Sequence, residues 1–216
     1  MHVGIIPDGM RRWAHQNQID KQSSYLKSLE KIKSIIDLFF ENQFTSLSVY
    51  SLSKDNIKRS EDDLQSVLFA ETLFFEKYLP AICQKWNCRF SAIGNYKQIG
   101  DQRFENAILH LEKITAHFEH RNLYAIINYN AMEDISKYKN LESLNQIHSL
   151  CELSSIPEPL DMVVRTGGEN RLSDFLPLNL GYSEIYFIDK FFLDVEIEDY
   201  IHCLNDFRTT QRRFGV

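Results

Sequence analysis

The chain reads as an α/β protein with a mostly parallel six-stranded sheet and helices on both faces. Three observations predict this. Six short apolar runs recur along the chain. Between most of them lie longer stretches whose apolar residues repeat at helical spacing. Strands alternating with helices in this way imply right-handed crossovers and a parallel sheet.

The first strand is expected at 3–7, where Val3-Gly4-Ile5-Ile6-Pro7 stops at the turn dipeptide Asp8-Gly9. In 24–42, Leu26, Leu29, Ile32, Ile35, Ile36 and Phe39 share one helical face. A strand over 45–51 follows. The helix over 60–79 opens at Ser60 with Asp63 three residues on, a capping-box pattern. A strand at 88–93, a helix over 101–119 and a strand at 122–128 come next. Strands at 161–165 and 184–188 precede a last helix over 196–209 and a basic tail. Segment 152–160, with Pro157 and Pro159, is a short candidate linker. Residues 1–216 are expected to form a single domain.

Hydrophobic content of 44% and charged content of 25% suit a globular protein with a proper core. The net charge of −6 disfavours a nucleic-acid partner, so any bound anion needs a local basic cluster. The four cysteines show no CxxC pairing and read as reduced thiols in a cytoplasmic protein. No apolar run is long enough to span a membrane. His117 and His120 are three apart on the expected 101–119 helix. Without an evident third ligand they read as a solvated face.

In open α/β sheets, ligands bind beyond the carboxyl ends of the strands. One such end carries Asp8-Gly9-Met10-Arg11-Arg12-Trp13, a carboxylate, a glycine, two arginines and an aromatic. That set can hold a divalent cation and clamp a diphosphate. A second carries Arg165-Thr166-Gly167-Gly168-Glu169-Asn170-Arg171-Leu172-Ser173. Its arginine forks match phosphate oxygens, and its glycines can form a nest of N–H groups. Two anion sites at neighbouring strand ends suggest two phosphorylated substrates. Asp8 lies between them and can hold Mg²⁺ against a diphosphate. Neither GxxxxGK[ST] nor GxGxxG occurs, which disfavours kinase and dinucleotide readings.

These blocks, with Tyr50-x-x-Ser53-x-Asp55-Asn56-x-x-Arg59, Asn128-Tyr129, Tyr182-x-Glu184 and Arg212-Arg213-Phe214-Gly215, resemble the cis-prenyltransferases, the undecaprenyl-diphosphate-synthase-like enzymes. The resemblance covers nearly the whole chain. It implies the cis-prenyltransferase fold and a homodimeric, Mg²⁺-dependent enzyme that passes an allylic prenyl group between diphosphate substrates. By position, Asp8 would be the essential acid and metal ligand, with Glu184 of a second subunit completing the metal site. Gly9, Met10, Arg11 and Arg12 would cradle the donor diphosphate, with Trp13 beside them, and the Arg12 side chain would act in catalysis. Arg165, Arg171 and Ser173, with Leu172 among them, would hold the acceptor. Asn56 matches a proton-accepting position, and Ser53, Lys54, Asp55 and Arg59 belong to its loop. Lys21 and Tyr25 align with donor-side residues. Arg213 and Gly215 match a tail that reaches the partner's site.

The departures from chain-elongating members cluster on the donor side. Met10-Arg11 replaces Asn-Gly, Lys21 an arginine, Tyr25 a histidine and Ile57 a tryptophan. Pro7 to Trp13 is similar to the lavandulyl and cyclolavandulyl diphosphate synthases, family members that join two dimethylallyl diphosphates head-to-middle. Phe39, Phe40, Phe69, Phe74 and Phe75 lie on helices expected to wall the prenyl tunnel, where large side chains would favour a short product. The alternatives are regular head-to-tail elongation with isopentenyl diphosphate and a non-catalytic partner subunit.

Overall fold

The computed structural model describes residues 1–136 and 149–210. Six strands form one sheet: β1 (His2–Ile6), β2 (Ser46–Ser53), β3 (Cys88–Ile93), β4 (Arg121–Tyr129), β5 (Met162–Arg165) and β6 (Glu184–Phe187). Their order is β3-β4-β2-β1-β5-β6, and every pairing is parallel. All six expected strands are present, with ends moved by a residue or two. The shifts reflect ladder partners that apolar patterning does not encode.

The helices are α1 (Met10–Gln16), α2 (Lys21–Glu41), α3 (Glu61–Leu73), α4 (Leu79–Trp86), α5 (Gln102–Thr115), α6 (Ala131–Ser136) and α7 (Ile197–Thr209). Successive strand residues face opposite sides, and the core divides accordingly. Ile5, Leu47, Ile127 and Val164 meet the cluster that includes Phe39, Phe75, Phe104 and Tyr200 from α2, the π-turn, α5 and α7. Ile6, Tyr50, Ile126 and Val163 face a smaller cluster with Ile156, Leu160, Phe175 and Leu176.

Four local expectations change. The expected 60–79 helix is α3 followed by a π-turn over Phe74–Tyr78, and the helical run continues past the expected end through α4 to Trp86. Ser60 makes no capping bond; Asp63 instead accepts from Lys21 and Arg11, because opposite charges on α1 and α2 reach it first. Helix α5 ends at Thr115, so His117 and His120 lie in the turn before β4. Segment 152–160 is packed: Ile156 and Leu160 are buried, and Asn179 Nδ2 donates to the carbonyls of Ile156 and Glu158. Helices α1 and α6 carry too little apolar periodicity to be read in advance. Cys83, Cys88, Cys151 and Cys203 are free, and no described helix is long and apolar enough to cross a membrane.

Candidate active site

Strands β1 and β5 are neighbours, with Ile6 opposite Arg165. Their carboxyl ends therefore carry both motifs side by side. The Thr166 hydroxyl ties them together: it accepts from the Asp8 N–H at 2.9 Å and donates to the Asp8 carbonyl at 3.1 Å. Asp8 Oδ2 accepts from Arg165 Nη2 at 2.8 Å and lies 3.4 Å from Arg12 Nη2. Asp8 Oδ1 accepts from the Gly9 N–H at 2.6 Å. Arg165 is 4% exposed, and its Nη1 donates to Ser173 Oγ at 2.9 Å and to the Arg171 carbonyl.

Glycine geometry makes this convergence possible. Gly167 has φ +94°, and a Cβ there would lie 2.9 Å from Arg12 Nη2 and 3.0 Å from the Asp8 carbonyl carbon. Only glycine lets the two strand ends approach so closely. The expected nest of free N–H groups at Gly167 and Gly168 does not form. Those N–H groups donate to the carbonyls of Lys190 and Ile188, because the turn continues the ladder between β5 and the chain after β6. Donors without backbone partners lie instead at the start of α1. Trp13 is the first residue to bond back, to the Gly9 carbonyl, and the first-turn N–H groups before it lack helical acceptors.

A cleft of about 700 Å³ opens over this junction. Arg11, Arg12, Arg59, Arg165 and Arg171 border it, with the carboxylates of Asp8 and Glu169 among them. Thus a protein of net charge −6 concentrates cations at one point. Glu169 holds two of them, accepting from Arg12 Nη1 at 3.2 Å and from Arg171 Nη1. Elsewhere the walls are apolar, with Leu29, Ile36, Val67, Phe75, Leu79 and Phe90.

Of the residues expected at the site, Asp8, Gly9, Met10, Arg11, Arg12, Tyr25, Ser53, Asn56, Arg59, Arg165, Arg171 and Ser173 all border this cleft. Arg59 links Tyr25 to the loop: Nη1 donates to the Tyr25 hydroxyl at 3.2 Å, and Nη2 to Asn56 Oδ1. Burial raises the Tyr25 pKa. Trp13 does not border the cleft. Its Nε1 donates to Asp194 at 2.7 Å and Lys27 covers its ring, so it braces α1 from outside. Lys21 is drawn away to Asp63. Asp55 is exposed and paired with Lys58, Lys54 is exposed, and Leu172 packs against the smaller core. Glu184 pairs in register with Met162, at the opposite end of the strand from Phe187, which faces Arg165. At about 3.3 Å per residue this puts it roughly 10 Å along the strand from that level. Arg213 and Gly215 lie outside the described residues.

Of the five phenylalanines expected to wall a tunnel, Phe74 and Phe75 border the cleft. Phe39 and Phe40 are core, and Phe69 is 42% exposed on the outer face of α3. Other cleft residues had no assigned role. Phe191 stacks on Arg12 at 5.2 Å, Tyr50 donates its hydroxyl to the Ser173 carbonyl at 3.0 Å, and Ser51 and Glu71 line the wall. Alternation along β2 could have flagged Ser51; nothing local flags Glu71.

A family model described as "Putative undecaprenyl diphosphate synthase" matches residues 6–215. The chain belongs to this cis-prenyltransferase family. Among curated relatives, the cis-prenyltransferase of Pyrobaculum aerophilum named tritrans,polycis-undecaprenyl-diphosphate synthase (geranylgeranyl-diphosphate specific) is 30% identical, covering 99% of this chain and 95% of its own. The Pyrococcus horikoshii protein of the same name is 28% identical, covering 99% and 86%. Lavandulyl diphosphate synthase from Lavandula x intermedia, solved with dimethylallyl diphosphate, superposes with a TM-score of 0.87 at 24% identity, covering 100% and 98%. The fold of this cis-prenyltransferase is therefore that of the family, and the protein is a prenyl diphosphate synthase by class.

Proposed function

We propose that this chain, acting as one 1–216 unit, is a Mg²⁺-dependent prenyl diphosphate synthase that joins two dimethylallyl diphosphates head-to-middle, giving a short branched product. The carrying observation is the size of the cleft and its bulky apolar wall. Its volume of about 700 Å³ must take two diphosphates as well as the hydrocarbon, and Phe74, Phe75, Leu79 and Phe90 wall the apolar part. Short prenyl groups suit such a space. The donor-side residues Met10 and Arg11, which depart from the elongating pattern, border the cleft.

The arginines bordering the cleft bind and orient the two diphosphates. Arg12 and the first-turn N–H groups face the donor, and Arg171 and Ser173 the acceptor, with Arg165 fixing Asp8 between them. These cations stabilise negative charge growing on the leaving group as the allylic carbon becomes cationic. The apolar wall excludes the water that would otherwise capture that carbon.

Asp8 fits a Mg²⁺ ion, which takes one or two carboxylates and fills its other positions with substrate phosphates and water. The ion would neutralise diphosphate charge. A metal role for Glu184 requires a second copy of the chain. The edge strand β6 supports a homodimer, since Ile185 and Phe187 there are 40% and 41% exposed.

The second reading is regular elongation with isopentenyl diphosphate, favoured by the names of the curated relatives. Mass spectrometry of products from purified protein and Mg²⁺ separates the two. A C10 diphosphate from dimethylallyl diphosphate alone supports irregular coupling. If no coupled product forms until isopentenyl diphosphate is added, the irregular reading is wrong.

A further inference from the structure

The wall of the cleft contains one acidic side chain that neither diphosphate needs. Glu71, on α3, borders the cavity between Val67, Ala70 and Phe74. Its Oε2 is sealed from solvent and has no hydrogen-bond partner among the described residues. Ser51 Oγ, on β2, is also buried without a partner, although its hydroxyl is near enough to influence the carboxyl. A carboxyl oxygen sealed from solvent with only the neighbouring Ser51 hydroxyl to temper it is costly in a folded protein. Their location explains what could use them. Ile5 pairs with Val49, so Ser51, two residues on, lies where β1 ends, next to Pro7 and Asp8. Glu71, beside Ser51, thus lines the cleft close to the strand end that carries Asp8.

We infer that Glu71 is the proton acceptor of the coupling reaction, taking the proton that the acceptor hydrocarbon must lose. The inference rests on the prenyl-transfer reading of the cleft. In that reaction a C–C bond forms between C1 of the donor and the alkene of the acceptor. The donor C1–O bond breaks, and diphosphate leaves with its electron pair. The acceptor becomes a tertiary cation. A proton on an adjacent carbon passes to the Glu71 carboxylate, and the C–H pair becomes the new double bond. Asn56 is a poorer candidate: an amide is not a base near neutrality, and its Oδ1 already accepts from Arg59.

The electrostatics match the task. Burial pushes the Glu71 carboxyl up to about 7, with Ser51 and Arg59 pulling the other way. A base that titrates near the working pH is effective in both directions. The charged and titratable groups that act on it are Arg59 from the loop and Tyr25 from α2; Arg11 from α1 and Asp63 act in turn on Arg59 and Tyr25. Arg59 favours the ionised carboxylate, and the apolar walls favour the neutral acid formed after transfer.

The test is steady-state kinetics of the full-length protein with Mg²⁺ and E71Q beside it. Dimethylallyl diphosphate is supplied alone and with isopentenyl diphosphate. On whichever pair the wild type couples, E71Q is expected to lose about 10²–10⁴-fold in kcat, with KM changed by less than about threefold. The wild-type kcat is expected to fall below about pH 7, and that acid limb to vanish in E71Q. E71D is expected to recover part of the rate. E71Q removes a buried charge, so its melting temperature at pH 8 should match or exceed that of the wild type, which verifies folding.

If E71Q couples at the wild-type rate and keeps the acid limb, the departing diphosphate is the base and the inference is overturned. A wild type that couples only with isopentenyl diphosphate refutes irregular coupling and leaves the Glu71 comparison intact on that pair. A wild type inactive on every pair overturns both.

Discussion

Asp8 and Arg165, 157 residues apart, meet at 2.8 Å because β1 and β5 lie side by side. Arg165 is 4% exposed, so it depends on Asp8 for charge balance. Asp8→Ala is expected to slow coupling by about 10²–10³-fold and to loosen Arg165 and Ser173 with it. Product formation and diphosphate release report the rate. Unchanged diphosphate release would place the activity elsewhere.

Gly167 is the hinge of the same junction. An alanine there must adopt φ +94° and press on Arg12 and Asp8. Gly167→Ala is expected to cost about 1–3 kcal/mol of stability and to weaken diphosphate binding. Thermal unfolding and calorimetry with inorganic diphosphate measure the two effects. Alanine tolerated on both counts would refute the close-approach argument.

Glu169 pairs with two arginines that border the cleft, Arg12 and Arg171. Removing its charge frees them. Glu169→Gln is expected to tighten inorganic diphosphate binding about two- to fivefold, the equivalent of an exposed ion pair. Weaker binding in calorimetry would instead assign Glu169 a positioning role.

His2 gives a pH dependence remote from the site. It is buried against Ser48 Oγ at 2.8 Å, with Glu158 and Asp161 nearby, and burial lowers its pKa to about 4. The unfolded chain, with an ordinary pKa near 6.5, binds the proton more readily. His2 therefore contributes stability fully above about pH 6.5 and loses it as pH falls to about 4. The loss is on the order of 3 kcal/mol, at ~1.4 kcal/mol per pKa unit. Urea midpoints across this range should fall for the wild type and fall less for His2→Asn.

Much of the architecture was legible because it is written locally. Apolar runs ending in turn residues located all six strands, and periodicity located α2, α5 and α7. The motif blocks at Asp8 and Arg165 stood out as chemistry because carboxylate, arginine and glycine occur together at strand ends. Less legible were elements whose signal is weak or tertiary. Helix α1 is seven residues long and lacks a side-chain cap. The π-turn inside the 60–79 stretch leaves no mark in hydrophobic spacing, yet it brings adjacent Phe74 and Phe75 to the cleft. By its sequence Trp13 could stack on a substrate chain or close the first turn against the core; Asp194, distant in sequence, claims its indole.

The sequence by itself determined the strands, their alternation with helices, and the two arginine-rich blocks at strand ends. These depend on residue type and short spacing, which the chain carries from position to position. Only the tertiary structure decided the strand order β3-β4-β2-β1-β5-β6, which sets the two blocks against each other. It also decided that the Gly167 and Gly168 N–H groups are spent on the backbone, and that Glu71 lines the cleft. The physical reason is that hydrogen-bond partners and burial are set by contacts across the fold. A side chain's chemistry depends on what surrounds it, and those neighbours come from elsewhere in the chain.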